Sequence, residues 1–284
     1  MKKHTNMRKL RTSICLHTLL TVLSILWMLP VFWLLISSFR KEPGAYTPYL
    51  WPKAFTFDNY TRLFTDTRLF NFPRWFMNTL FVAVCCCVIT TILTLMVAYV
   101  YSRLRFKSRK AIMNICLILG MFPGFMSMIA IYHFMKAIGL DQTLLALILV
   151  YSGGAALNYY IAKGFFDTIP KALDEAVMID GGTKNTVFWR VILPLSKPII
   201  IYTILVSFTG PWGDFMFGKY ITQTAGMLPD GYTVAVGLQG LTSNSDYYGT
   251  FCAGAVLVSI PITALFFWLQ RYYVEGIAGG AVKG

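Results

Sequence analysis

The feature that most constrains this chain is a series of six apolar segments, each long enough to cross a lipid bilayer. They cover approximately Ile14–Ile36, Asn78–Tyr101, Ala111–Met135, Thr143–Ile161, Ile199–Phe217 and Thr250–Leu269. Only 13% of the residues are charged, whereas an average soluble domain contains about 25%. A soluble globule could not cover its surface with so few ionised groups, so we expect an all-α, polytopic membrane protein with six transmembrane helices.

Several of these segments contain helix-interrupting residues. The first, Ile14–Ile36, is too long for the core of a cleavable signal peptide, so we expect an uncleaved first span. Five of the six spans contain such interrupting residues, which are Pro30, Pro123, Gly153-Gly154, Gly210-Pro211 and Pro261. Broken backbone is tolerated in a membrane where protein or water satisfies the freed polar groups, so these spans are expected to be packed, transport-type helices.

The basic residues are distributed unevenly along the chain. The formal net charge is +13, with 25 Lys and Arg residues. If the N-terminus lies in the cytoplasm, 17 of the 25 basic residues fall on the cytoplasmic side and eight on the other. The positive-inside rule therefore predicts that both termini are cytoplasmic. It also explains the charge without a nucleic-acid-binding surface.

The inner loop between spans four and five, residues 167–198, carries the most specific pattern. Pro170 suits the first turn of a helix, the Asp180-Gly181-Gly182 stretch breaks that helix, and Thr183 can cap a second one. The first helix has an apolar stripe of Leu173, Ala176 and Val177, with Lys171, Asp174 and Glu175 off the stripe. Periodicity alone fits a hairpin lying on the membrane surface equally well.

This loop resembles the EAA motif of bacterial ABC importer permeases, in which E-A-A-x-x-x-D-G is followed by L-P. The matching residues are Glu175-Ala176, Asp180-Gly181, the aromatic Phe188 and Leu193-Pro194. Val177 departs from the pattern, which has a second Ala there. Asn59-Tyr60, Asn78-Thr79, Ala98-Tyr99, Gly139-Leu140 and the ending from Gln270 extend the resemblance over nearly the whole chain. They are similar to the smaller, six-span permease subunit of maltose/maltodextrin-type importers.

The resemblance implies the transmembrane-domain fold of a type I ABC importer in a bacterial cell membrane. Residues 1–75 would hold the N-terminal cytoplasmic segment, the first transmembrane helix and an outer loop. Residues 76–270 would form the ABC transmembrane domain, with a five-helix core and a coupling helix within 167–198. Residues 271–284 would be a cytoplasmic tail.

The resemblance also implies a set of partners. These are a second, larger permease subunit, two copies of a cytoplasmic ABC ATPase and an extracytoplasmic sugar-binding protein. The sequence contains no G-x-x-x-x-G-K-[ST] phosphate loop. We therefore expect this chain to be a non-catalytic permease subunit that binds no cofactor or metal itself, with ATP and Mg²⁺ on the partner ATPase.

The coupling loop implied by the resemblance docks into a cleft on one ATPase. Its predicted coupling residues are Leu173, Glu175, Ala176, Asp180, Gly181, Gly182, Phe188 and Pro194. In that role Glu175 offers a carboxylate to a basic group on the ATPase, Ala176 leaves room for close helix approach, and Gly181 permits a sharp turn.

Three residues are candidates for the substrate path. Asp214 could accept hydrogen bonds from sugar hydroxyls or could lie at the outer membrane edge beside Trp212. Asn158 and Tyr159 offer an amide and an aromatic ring, although helix–helix hydrogen bonding and packing explain them equally well. The polar, Gly-rich outer segment Gly218–Gly249 is either a connector or a loop that contacts a partner.

The expected function is uptake of an oligosaccharide, with maltose or maltodextrin first and a raffinose-type or galacto-oligosaccharide as the alternative. An ion-coupled secondary carrier would require buried charged pairs or an inverted repeat, and the sequence pattern indicates neither. A membrane-embedded enzyme would require clustered acids and histidines, but His4, His17 and His133 are scattered.

Overall fold

The computed structural model describes residues 2–44, 47, 49–66, 71–121, 124–154, 156–224 and 229–281, and these residues are overwhelmingly helical. The α-helices are α1 (Lys2–Ser38), α2 (Asp58–Thr65), α3 (Phe72–Arg103), α4 (Arg109–Met121), α5 (Gly124–Ala137), α6 (Leu144–Gly153), α7 (Ala156–Asp167), α8 (Ala172–Ile179), α9 (Lys184–Val187), α10 (Leu193–Leu195), α11 (Lys197–Gly213), α12 (Met216–Lys219), α13 (Val234–Leu241) and α14 (Tyr248–Ala281). Two π-helical turns, Phe188–Ile192 and Tyr220–Thr224, and two 3₁₀ turns, Pro229–Gly231 and Ser245–Tyr247, complete the helical elements. Arg40 and Phe55 form an isolated antiparallel bridge.

The predicted membrane spans fall on these helices. Three stretches are each long and apolar enough to cross a membrane: Arg11–Ser38, Phe72–Arg103 and Ser245–Tyr272. Three bent helix pairs also qualify, so the described residues hold up to six spans if each pair counts as one. This upper count matches the six apolar segments of the sequence.

The bends lie partly where the sequence placed them. The α6–α7 pair is bent by 41° after Gly153, as the Gly153-Gly154 dipeptide predicted. The α4–α5 pair is bent by 106°, and the expected break at Pro123 lies outside the described residues. The helices instead continue through Pro30, Pro211 and Pro261. A 79° bend that we did not predict separates the segment Lys184–Leu195 from α11.

The first of two compact units contains Met1–Asp66 and Leu241–Leu257. Its organising group is the buried guanidinium of Arg40, which donates to the Leu50 carbonyl oxygen at 2.9 Å. The guanidinium lies 5.5 Å from the centre of the Trp33 ring and 5.2 Å from that of Tyr49. Cation–π contacts and hydrogen bonds therefore fix the start of the segment that follows α1.

The second unit contains Thr67–Gly240 and Val258–Gly284, and α3 lies at its centre. This helix begins with Pro73 in its first turn and packs against α6, α7 and α11. One cluster of buried apolar residues consists of Val82, Cys86, Met135, Ala146, Leu147, Ile148, Phe217 and Ile221. A second consists of Leu95, Ala98, Tyr99, Ala162, Phe166, Ile169, Val187, Phe188, Ile192 and Ile199. The second cluster joins α3 to the segment that carries the EAA-like motif.

Two stretches are more ordered than the sequence indicated. We expected Gly218–Gly249 to be a connector or a partner-contacting loop, but it contains α13, in which Val234, Val236 and Leu238 are buried. The predicted tail, residues 271–284, begins as a continuation of α14, which extends to Ala281. Residues 282–284 lie outside the described part of the chain.

Candidate functional site

The EAA-like stretch folds as a helical hairpin, residues 170–195, hereafter the coupling hairpin. Its first arm is α8, and its second arm runs from α9 through the π-helical turn to α10. Thr183 caps the second arm, because its Oγ1 accepts from the Thr186 amide at 3.3 Å. The helix–turn–helix predicted from the sequence is therefore confirmed, whereas the role of its residues in coupling stays a prediction.

Two glycines make the turn between the arms, each for a different reason. Gly181 has a φ of +81°, in the left-handed region that favours glycine. Gly182 lacks space: a Cβ there would lie 2.5 Å from Val177 Cγ1 and 2.8 Å from the Val177 carbonyl oxygen. The Gly182 amide donates to that same carbonyl at 2.8 Å. The turn thus depends on the conformational freedom of one glycine and the small size of the other.

The outward face of α8 is largely apolar and exposed. Glu175, Ala176 and Asp180 are exposed, together with Leu173, Met178 and Ile179, whose exposed fractions are 41%, 45% and 86%. The predicted apolar stripe is therefore not the buried side of α8, since Leu173 and Ala176 point away from the protein and Val177 is half-buried. This exposed set, hereafter the α8 face, offers apolar side chains and carboxylates to a partner.

The other predicted coupling residues lie behind this face or beyond it. Phe188 is buried, and its ring centre lies 4.9 Å from that of Tyr99 on α3. Pro194 is exposed in the first turn of α10. Phe188 therefore packs the coupling hairpin against α3, whereas Pro194 lies on the surface.

One of the three charged residues that the sequence placed off the stripe, Asp174, faces inward. Asp174 forms an ion pair with Arg103 at the end of α3, with 2.8 Å between Asp174 Oδ2 and Arg103 Nε. The two side chains are 12% and 4% exposed, respectively. Burial raises the pKa of Asp174 above its ordinary value, and the Arg103 guanidinium opposes this shift. The pair is not visible in the sequence, because the whole of α4–α7 separates its two members.

The substrate-path candidates do not all come together. Asp214 follows the last residue of α11; its Oδ2 accepts from the Tyr151 hydroxyl at 2.8 Å and its Oδ1 from the Phe217 amide at 3.0 Å. It lines a cavity of about 660 Å³ with Tyr151, Ser127 and several glycines and apolar residues. Asn158 and Tyr159 are half-buried on α7 and are not among the described residues that line this cavity. Tyr151 was missed, although it is a tyrosine within an apolar span.

Comparison with known proteins gives a consistent result. Residues 90–279 match the family model described as "Binding-protein-dependent transport system inner membrane component". The chain is 35% identical to the galactooligosaccharides transport system permease protein GanQ of Bacillus subtilis (strain 168), covering 94% of each chain. It is also 35% identical to the maltodextrin transport system permease protein MdxG of the same organism, covering 97% of this chain and 98% of that one.

A solved structure has the same fold. The crystal structure of a bacterial ABC transporter involved in the import of the acidic polysaccharide alginate contains a chain that superposes with a TM-score of 0.73. The match covers 92% of this chain and 96% of that one at 20% identity. The predicted transmembrane-domain fold of an ABC importer is confirmed.

Proposed function

The chain belongs to the family of binding-protein-dependent transport system inner membrane components, and from this premise we propose that it is a permease subunit of an ATP-driven oligosaccharide importer. Permease subunits of this family are not catalytic themselves. ATP and Mg²⁺ would be bound by a partner ATPase, in agreement with the missing phosphate loop. This chain would supply half of the membrane pathway and the contact through which the ATPase acts on it.

The observation that carries this proposal is the exposed α8 face on a hairpin packed against α3. Exposed apolar side chains and carboxylates on a helix outside the candidate spans are suited to a protein partner. We assign to it the ATPase contact, with Glu175 and Asp180 facing basic groups and Ala176 permitting close approach. Gly181 and Gly182 form the turn, and Leu173 and Pro194 add exposed apolar contacts.

The remaining partners follow from the family's dependence on a binding protein. We propose a second, larger permease, two copies of the ATPase and an extracytoplasmic sugar-binding protein. From the positive-inside rule we propose that both termini and the coupling hairpin lie on the cytoplasmic side of the cell membrane. A membrane-impermeant thiol reagent tests this topology after the native cysteines are replaced, because a cysteine introduced at the exposed Arg105 should react only after the membrane is opened.

The substrate proposed first is a maltodextrin, and the alternative is a galacto-oligosaccharide. GanQ and MdxG have the same identity to this chain, so sequence distance does not separate the two sugars. Uptake of labelled maltodextrin and galacto-oligosaccharide, each with the binding protein from the same operon, decides between them. The cavity beside Asp214 is the proposed part of the path, and Asn158 and Tyr159 are further candidates on α7.

The decisive experiment on function is the substitution Glu175→Lys in the assembled transporter. It reverses a charge on the α8 face without altering a buried contact, so we expect the ATPase to be lost on purification and uptake to fall to background. Asp58→Lys is the matched control, because it makes the same change at an exposed residue of α2. Wild-type ATPase retention and uptake in Glu175→Lys would refute the assignment of the α8 face.

A further inference from the structure

Residues 99–103, at the end of α3, make two polar contacts with the coupling hairpin and two with the residues just before it. The Tyr99 hydroxyl donates to the Lys184 carbonyl oxygen at 2.7 Å, and so reaches the second arm. Arg103 donates through Nη2 to the Ile169 carbonyl at 2.9 Å and pairs with Asp174 of the first arm. Ser102 Oγ donates to Asp167 Oδ1 at 2.7 Å. One helix end therefore holds both arms of the coupling hairpin.

These contacts fix one arrangement of the two elements. Both members of the Arg103–Asp174 pair are largely buried, and a buried ion that loses its partner is strongly destabilised. A displacement of α8 relative to α3 would therefore separate buried charges. The least costly response to a force on the coupling hairpin is for the end of α3 to move with it.

The opposite end of α3 is attached to the outer segment, residues 229–241. Trp75 Nε1 donates to the Pro229 carbonyl oxygen at 2.8 Å, and Asn78 Nδ2 donates to that of Asp230 at 2.7 Å. The Val234 amide donates to Thr79 Oγ1 at 2.8 Å. Gly237 packs so closely on the Trp75 ring that a Cβ would overlap it. The two ends of the helix thus carry comparable sets of contacts.

The helix between these two ends is well suited to move as one body. α3 has a proline in its first turn, and the 29 residues from Trp75 to Arg103 include neither Pro nor Gly. The distance from Thr79 to Arg103 along the helix is about 36 Å. By contrast, α1 and α14 contain internal prolines, and the other candidate spans are bent pairs. Sharp kinks occur mainly at such residues, and α3 has none of them between its two sets of contacts.

We propose that α3 transmits movement of the coupling hairpin to the outer segment 229–241, and that Arg103 is the positioning residue which fixes the coupling hairpin to it. The inference rests on the proposed function, because the ATPase is the source of the movement. It assigns a role to Arg103, Asp174 and Tyr99, which lie behind the α8 face and not on it. ATPase binding and transmission should therefore be separable.

The test uses the full transporter with an environment-sensitive fluorophore at Gly240→Cys, after replacement of the native cysteines. Gly240 is exposed, and a Cβ there meets no atom within 4 Å. Addition of ATP and vanadate should change the fluorescence of the wild-type complex. In Arg103→Met the ATPase should stay bound while uptake and the fluorescence change each fall by about tenfold, within the usual range of coupling between sites.

Arg105→Met is the matched control, since Arg105 is exposed and lies two residues further along. It should retain the ATPase, uptake and the fluorescence change. An Arg103→Met complex that responds like Arg105→Met would overturn the inference and leave the proposed function intact. A wild-type complex that never binds the ATPase would refute the proposed function itself.

A milder variant covers the case in which Arg103→Met does not fold. Tyr99→Phe keeps the ring contact with Phe188 and removes the hydrogen bond to Lys184. We expect the fluorescence change to fall by about two- to fivefold, as the loss of one hydrogen bond allows, with the ATPase still bound. An unchanged response in Tyr99→Phe would overturn the inference in that case.

Discussion

The turn of the coupling hairpin allows a prediction in which two adjacent glycines respond differently to the same substitution. At Gly181 an added methyl group meets no atom within 4 Å, but the φ of +81° is unfavourable for alanine. The expected cost of Gly181→Ala is about 1–2 kcal/mol. At Gly182 the methyl group would lie 2.5 Å from Val177 Cγ1 and 2.8 Å from the Val177 carbonyl oxygen. That carbonyl also accepts from the Gly182 amide, so it cannot move away without weakening the bond.

The cost of Gly182→Ala therefore combines steric overlap with a weakened hydrogen bond. Overlap in a packed site costs about 1–3 kcal/mol, and one hydrogen bond contributes about 1 kcal/mol, so we expect about 2–4 kcal/mol. Since 1.4 kcal/mol is a factor of ten, local opening of the turn should rise about 5- to 30-fold for Gly181→Ala and about 30- to 700-fold for Gly182→Ala.

Amide hydrogen exchange followed by mass spectrometry measures this opening directly in peptides that cover residues 172–187. Asparagine separates the two causes, because it tolerates the left-handed conformation but is larger than alanine. Gly181→Asn should exchange at close to the wild-type rate, whereas Gly182→Asn should exchange at least as fast as Gly182→Ala. Wild-type exchange in Gly182→Ala, or no improvement of Gly181→Asn over Gly181→Ala, would refute the reasoning.

Two further predictions concern buried or cavity-lining carboxylates. Burial raises the pKa of Asp174 above its ordinary value of 3.8, so the folded state binds this proton more readily than the unfolded state. Its contribution to stability should therefore fall as the pH rises from below 3.8 through the raised value. Hydrogen exchange of the coupling hairpin is measured in the wild type and in Asp174→Asn over about pH 3–7 and corrected for intrinsic exchange rates. The stability of the wild-type hairpin relative to that of Asp174→Asn should fall as the pH rises. A rise in this relative stability would contradict the sign. Asp214→Asn keeps an oxygen that can accept from the Phe217 amide, so the fold and ATPase binding should persist. Because the carboxylate is proposed to serve the sugar path, uptake should fall several-fold. Unchanged uptake at limiting sugar concentration would remove Asp214 from that path.

The sequence was sufficient for the features that are local along the chain. Each apolar segment is a run of residues in one environment, so hydropathy located the candidate spans. The coupling hairpin was also predictable, because Thr183 and the two glycines act within a few residues of their own positions. Periodicity alone predicted the helical hairpin, and the resemblance to the EAA motif added the hypothesis that the hairpin contacts an ATPase.

The orientation of α8 could not be predicted from the same local pattern. Periodicity identified the apolar stripe through Leu173 and Ala176, but it does not say whether such a stripe faces the protein or a partner. The buried side of α8 is set by Arg103, a residue distant in sequence that brings Asp174 inward. A charged residue off an apolar stripe is ordinarily assigned to solvent, and here that assignment fails.

The segment Gly218–Gly249 could not be read correctly from the sequence for a different reason. Its average composition is polar and rich in glycine, which conceals the short apolar stretch Val234–Leu241. That stretch packs as α13, and Gly237 contacts Trp75 because it has no side chain. A window of eight residues would have indicated a buried element where the average over the whole segment indicated a loop.

The 79° bend at Ser196 sets the angle between the second arm of the coupling hairpin and α11. The segment Lys184–Leu195 lies nearly at a right angle to α11, so a displacement along that segment acts as a torque on α11 and not as a push along its axis. α11 has 17 residues. For a helix of that length, about 25 Å, each ångström of displacement at the joint corresponds to a tilt of roughly 2°. In the proposed function, the coupling hairpin would therefore act as a short lever arm that converts small movements of the bound ATPase into rotation of α11.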